Sequence, residues 1–175
     1  MKKDRILSEK HTKALKNAQT EWLKERSKYW NICAALHVPN AMRKHYFGYD
    51  EHWLAKELTR YFNKVDRHIY KAAHKNRGMR LQRIITLEYS ENVGWHAHGI
   101  FDCAEGYNED ETIEILKRYW QKQTERFAIQ KFEQRLDYFE YDRGNYIDYI
   151  LKNVRLNEEG AVGILDTKNT FLLNI

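Results

Sequence analysis

The stretch RIITLEYSENVGWHAHGIF, residues 83–101, decides how the chain is read. Its first half alternates, with Ile85, Leu87 and Tyr89 on one side and Ile84, Thr86 and Glu88 on the other, the period of a β-strand. Residues Glu91 to Gly94 turn the chain into a second strand. On it His96, His98 and Ile100 share one side, while Ala97, Gly99 and Phe101 line the other. The stretch therefore predicts an antiparallel hairpin that presents two imidazoles on one face. With the turn centred on Asn92 or Val93, Glu88 falls opposite His96 or His98, about 5 Å away across the ladder. Two neutral imidazoles and one carboxylate form a mixed nitrogen and oxygen donor set with positions left for water and a phosphate oxygen. Such a set suits Mn²⁺ or Mg²⁺ in phosphoryl chemistry and is able to take Zn²⁺. Eight histidines in 175 residues give about 0.4 His-x-His triplets by chance, so the motif acquires meaning only from its flanks.

Working outward, YWNICAALHV (29–38) is a short apolar run closed by Pro39 and reads as a central strand. Asp50 caps a helix in which Leu54, Leu58, Tyr61, Phe62, Val65 and Ile69 recur at helical spacing. Asn108 and Glu111 form a capping box ahead of Ile113, Leu116 and Trp120, a second helix able to cover the sheet. RLDYFEYD (135–142) is a strand and GNYIDYILKNV (144–154) a short helix. GAVGILD and NTFLLNI at the end suggest a β-hairpin. Residues 1–29 are basic and helix-prone, with Leu7, His11, Leu15, Trp22 and Leu23 as a loose stripe, an N-terminal helical arm. The expected organisation is this arm, a core over 30–155 and a β tail over 156–175 packed on the same domain. The fold class is α+β, a central antiparallel sheet with packed helices.

Composition narrows the function. The length fits one domain with its own core, and no run of 18 apolar residues or secretory leader is present, so a cytoplasmic protein without a membrane partner is expected. Only Cys33 and Cys103 occur, both in apolar stretches, which argues against a disulfide framework or a cysteine zinc site. A net charge of +5 with 14% aromatic residues fits a polyanionic partner with unpaired bases. Lys75, Arg77, Arg80, Arg83 and the N-terminal arm are the candidate phosphate contacts.

A metal beside a phosphodiester calls for a nucleophile. Tyr-x-x-Lys occurs three times, at Tyr61/Lys64, Tyr119/Lys122 and Tyr149/Lys152. Tyr61 belongs to an apolar helix stripe and Tyr119 adjoins Trp120, so both read as packing residues. Tyr149 falls opposite the apolar face of Ile147, Ile150, Leu151 and Val154, with Tyr146 and Lys152 flanking it. A tyrosine there is available for covalent attack on a phosphodiester, with Lys152 placed to position the phosphate or stabilise charge.

Trp95-His96-Ala97-His98 resembles the His-hydrophobic-His motif of the HUH endonucleases, preceded by a strand with Glu88 and followed by Tyr149-x-x-Lys152. The histidine pair precedes the tyrosine, the order of the rolling-circle replication initiators; relaxases reverse it. The resemblance covers residues 30–155, and NICAALHV takes the place of the first motif without its usual Phe/Thr-Leu-Thr character. It implies a five-stranded antiparallel sheet and metal-dependent nicking and joining of single-stranded or hairpin DNA through a 5′-phosphotyrosine. His96, His98 and Glu88 would hold the metal, Tyr149 would attack and Lys152 would assist. Tyr146 is an alternative nucleophile, since some initiators carry two tyrosines on one helix. No glycine-rich nucleotide loop is present, so a helicase and a polymerase would come from the host or the mobile element. Two other readings share these features: a single-tyrosine transposase of an insertion sequence, which usually has glutamine where this chain has Lys152, and a noncatalytic single-strand DNA or RNA-binding module.

Overall fold

The computed structural model describes residues 9–27, 30, 32–38, 49–91, 94–125, 136–140, 145–151 and 163–172. In chain order the elements are α1 (Glu9–Ser27), β1 (Ile32–Leu36), α2 (Glu51–Tyr70), α3 (Ala72–Arg77), β2 (Arg83–Ser90), β3 (Gly94–Phe101), α4 (Glu109–Glu125), β4 (Leu136–Glu140), α5 (Asn145–Leu151) and β5 (Gly163–Leu165). The protein is α+β. Among the described residues, five strands run in the order β4-β1-β3-β2-β5, and every neighbouring pair is antiparallel.

Strand alternation divides the core in two. Ile32, Ala34 and Leu36 of β1, Ile85 and Leu87 of β2, and Ala97 and Phe101 of β3 face α2 and α4, whose Leu54, Leu58, Tyr61, Phe62, Val65, Leu116 and Trp120 complete the larger cluster. Both covering helices start as their sequences dictate. Asp50 accepts a hydrogen bond from the Trp53 amide at 2.8 Å. Asn108 and Glu111 cap each other's amides reciprocally at 2.9 Å. On the opposite face Cys33, Ile84 and Ile100 pack with Leu23 of α1, Trp30, and Tyr146 and Ile150 of α5. The histidines point to this second face. The first helix is thus not a detached arm over its C-terminal part: Leu23 is fully buried, and Lys24 pairs with Asp148 of α5 at 3.0 Å. Of the expected stripe on α1, Trp22 is instead exposed, with Arg26 over its ring at 5.5 Å.

Gly99 is required by the packing of the larger cluster. A Cβ at this position would lie 2.5 Å from the Phe101 ring and 3.0 Å from Ile85 Cδ1, because the Phe101 side chain folds back over β3. Gly99→Ala is expected to cost about 1–3 kcal/mol through overpacking, read as a lowered midpoint in denaturant unfolding of the metal-free protein.

Two expectations require correction. GILD and TF do not pair with each other; both run along the edge of β2. Leu165 pairs with Thr86 and Gly163 with Glu88, while Phe171 forms an antiparallel bridge with Arg83. A turn at Asp166–Thr170 separates them, held by the Asp166 carboxylate, which accepts from the amide of Asn169 and from its side-chain Nδ2. Arg83 is also not a surface cation. It is 2% exposed, its guanidinium makes two bonds to the fully buried Asp66 at 2.8 and 3.0 Å, and its Nε donates to Asn169 O at 2.9 Å. The guanidinium lies 4.2 Å from the centre of the Phe62 ring. Arg83 shares the parity of Ile85 and Leu87, so it points under α2.

Candidate active site

The hairpin register settles on Glu88 opposite His96 and Thr86 opposite His98. One face of two adjacent strands therefore gathers Glu88, His96 and His98, whose ligand atoms all lie within 4.8 Å of one another. Among the described residues, these three form a group that could hold a metal ion. Both histidines are nearly buried and Glu88 is partly so. Gly94, at φ 70° where the strand leaves the turn, aims its carbonyl at His96 Nδ1, 2.9 Å away. Only the nitrogen that carries hydrogen can donate to that carbonyl, so His96 keeps its lone pair on Nε2. A positive φ of this kind is what glycine supplies without strain.

His98 turns its Nε2 toward Glu88 Oε2 at 3.2 Å. An imine lone pair and a carboxylate at that separation repel unless a proton or a metal cation lies between them. The donor set, two imidazole nitrogens and one carboxylate on rigid neighbouring strands, fits a divalent metal by this criterion. The Thr86 hydroxyl, buried directly across from His98, has no hydrogen-bond partner among the described residues. It is a further polar group in the same enclosure. His96→Ala is expected to weaken Mn²⁺ binding by at least roughly 100-fold, more than loss of an outer-sphere partner costs, measured by isothermal titration.

The helix α5 brings the tyrosines. Ile150 is buried, Asp148 and Tyr149 are exposed, and the side chains of Ile147 and Leu151 lie outside the described residues, as do Lys152 and Val154. Tyr149 is 44% exposed and sets its ring edge-on to His98, with centroids 5.4 Å apart. Tyr146 departs from the expected polar side of the helix. It is buried, its ring stacks on Tyr149 at 5.6 Å, and its hydroxyl lies 3.3 Å from both His98 Nδ1 and Ala34 O. Burial pushes its phenol well above the ordinary tyrosine value, a poor state for a nucleophile. Asp148 of the same helix pairs with Lys24 of α1 at 3.0 Å.

Sequence reasoning missed His37. It stacks on His96 at 5.3 Å with an interplanar angle of 25°, on the strand side shared with Cys33 and Ala35. The signal was the parity of β1, whose register sets Ala35 beside His98 and so carries His37 toward His96. The basic segment does not join the site. Lys75 and Arg77 are exposed and Arg80 is partly so, but they precede the start of β2, whereas Glu88 sits near its end. At a strand rise of 3.3 Å per residue, Arg83 and Glu88 are about 16 Å apart. Of the two cysteines, Cys33 is fully buried, and burial pushes its thiol up to about 12, an inert group. Neither is in a disulfide. Among the described residues no helix is long and apolar enough to cross a membrane.

Neither a protein-family model nor a curated protein sequence matches the chain.

Proposed function

We propose that the protein is an HUH-type endonuclease of the replication-initiator kind, cutting and rejoining single-stranded or hairpin DNA. The observation that carries this reading is the meeting on one sheet face of Glu88, His96 and His98 with the exposed ring of Tyr149 at the edge of His98. A divalent metal held by Glu88, His96 and His98, Mn²⁺ or Mg²⁺, would supply Lewis-acid polarisation of the scissile phosphate. The Tyr149 phenol, exposed to water, gives up its proton to solvent and its oxygen attacks phosphorus. The bond from phosphorus to the 3′ oxygen breaks, and that oxygen takes a proton to leave a free 3′ hydroxyl. The 5′ phosphate stays on Tyr149 as a phosphodiester, so no bond energy is lost to water and attack by a 3′ hydroxyl reverses the step. Tyr149 suits this role because its hydroxyl-bearing ring is exposed beside a metal ligand, whereas Tyr146 is enclosed.

The initiator branch is favoured over the single-tyrosine transposases by Lys152, three residues after Tyr149, where the transposases usually carry glutamine. DNA and a helicase and polymerase of the host or element are the partners in this reading. The test uses randomised single-stranded and hairpin oligonucleotides with Mn²⁺, followed by denaturation in SDS. A DNA-bearing protein band that EDTA prevents is expected. DNA binding without any adduct, unaffected by EDTA, would instead identify a noncatalytic single-strand binder.

A further inference from the structure

We infer that Tyr146 is a positioning residue that fixes His98 with hydrogen on Nδ1 and its Nε2 lone pair turned into the metal centre. The inference rests on the reading of Glu88, His96 and His98 as metal ligands. A neutral imidazole has one N–H and one lone pair, so ligation through Nε2 requires the hydrogen to sit on Nδ1. That N–H then needs an acceptor inside the protein. The Tyr146 hydroxyl oxygen lies 3.3 Å from His98 Nδ1 and also 3.3 Å from the carbonyl of Ala34. A carbonyl only accepts, so the phenol proton goes to Ala34 O and the phenol oxygen receives the Nδ1–H of His98. The relay has one direction: imidazole to phenol to backbone carbonyl.

The arrangement repeats for the second histidine by different means. His96 Nδ1 meets the Gly94 carbonyl at 2.9 Å, a backbone acceptor supplied by its own strand. His98 obtains its acceptor from α5, the helix that also carries Tyr149 three residues later, and the two tyrosine rings stack. A metal ligand and the attacking residue are thereby held by the same helix. The role also explains why a tyrosine occupies a position nine-tenths enclosed between α5 and the sheet, where phenylalanine would pack equally well. Burying a hydroxyl is favourable only when its hydrogen bonds are made.

Tyr146→Phe deletes the hydroxyl and keeps the ring. Loss of the partner of a ligating histidine is expected to weaken Mn²⁺ binding by roughly 10- to 100-fold, measured by electron paramagnetic resonance of free Mn²⁺. Tyr149→Phe is expected to leave that affinity unchanged. A second readout uses ¹⁵N-labelled protein loaded with diamagnetic Zn²⁺. In the wild type the His98 Nδ1–H proton should be visible and slow to exchange, and in Tyr146→Phe it should exchange rapidly; a purely packing role would not move this signal. Should Tyr146→Phe fail to fold, the wild-type spectrum alone decides: hydrogen on Nε2 rather than Nδ1 overturns the inference. Equal Mn²⁺ affinity in Tyr146→Phe and wild type also overturns it, as does loss of the DNA adduct in Tyr146→Phe at saturating Mn²⁺ with affinity intact, which would make Tyr146 the nucleophile. A wild-type protein that binds neither Mn²⁺ nor Zn²⁺ overturns the metal centre itself, an outcome distinct from these.

Discussion

Tyr149→Phe is expected to lower DNA cleavage by roughly 10⁴-fold or more, the scale on which removal of a covalent nucleophile acts. The same variant should bind Mn²⁺ and single-stranded DNA as the wild type does. The separation follows from the geometry: Tyr149 sets its ring edge-on to His98, and its side chain is exposed. Phenylalanine keeps that contact and the stacking on Tyr146, so the deletion isolates the oxygen. Cleavage of labelled oligonucleotides in a single turnover, with metal affinity measured on the same preparation, gives the comparison. Cleavage retained in Tyr149→Phe would remove Tyr149 from the reaction.

Arg83→Met is expected to destabilise the fold by about 3–5 kcal/mol, because it leaves the Asp66 carboxylate buried without its cation. Among the described residues, Asp66 would keep the Leu81 amide, 3.0 Å from Oδ1, as a hydrogen-bond donor. The loss also removes the Arg83 Nε bond to the Asn169 carbonyl, while the backbone pairing of the C-terminal segment with β2 remains. Guanidinium unfolding should show a lower midpoint, and the double replacement Asp66→Leu with Arg83→Met should recover much of the loss. A surface phosphate contact would behave otherwise: stability unchanged, and the salt dependence of DNA binding reduced by about one unit of slope.

The contrast between these residues shows what the sequence made legible. Alternation through 83–101 carried the hairpin, the shared face of His96 and His98, and Glu88 as their cross-strand neighbour, because register and face follow from a period of two. The same rule, applied to the first residue of that stretch, places Arg83 on the side of Ile85 and Leu87. Reading it with the basic run KNRGMRLQR instead made it a candidate phosphate contact. His37 was missed for a related reason: its nearness to His96 depends on β1 pairing with β3 across 60 residues of chain, which local pattern does not contain. Tyr146 illustrates the limit of the helical wheel. In a helix of seven residues a 100° step separates Tyr149 from Tyr146 by less than one turn, and only the docking of α5 on the sheet decides which one is enclosed. The tail was misread because two short apolar segments joined by a turn suggest a hairpin, whereas the open edge of β2 offered unpaired backbone groups to both.

The most direct measurement maps the covalent bond. Wild-type protein trapped with Mn²⁺ and the oligonucleotide pool would be digested with protease and nuclease, and the peptide bearing nucleotide mass sequenced by tandem mass spectrometry. The account predicts a 5′-phosphonucleotide on Tyr149, within the peptide of α5 that also contains Tyr146, and a free 3′ hydroxyl on the released DNA. Modification on Tyr146, or metal and DNA binding with no modified tyrosine at all, would contradict it.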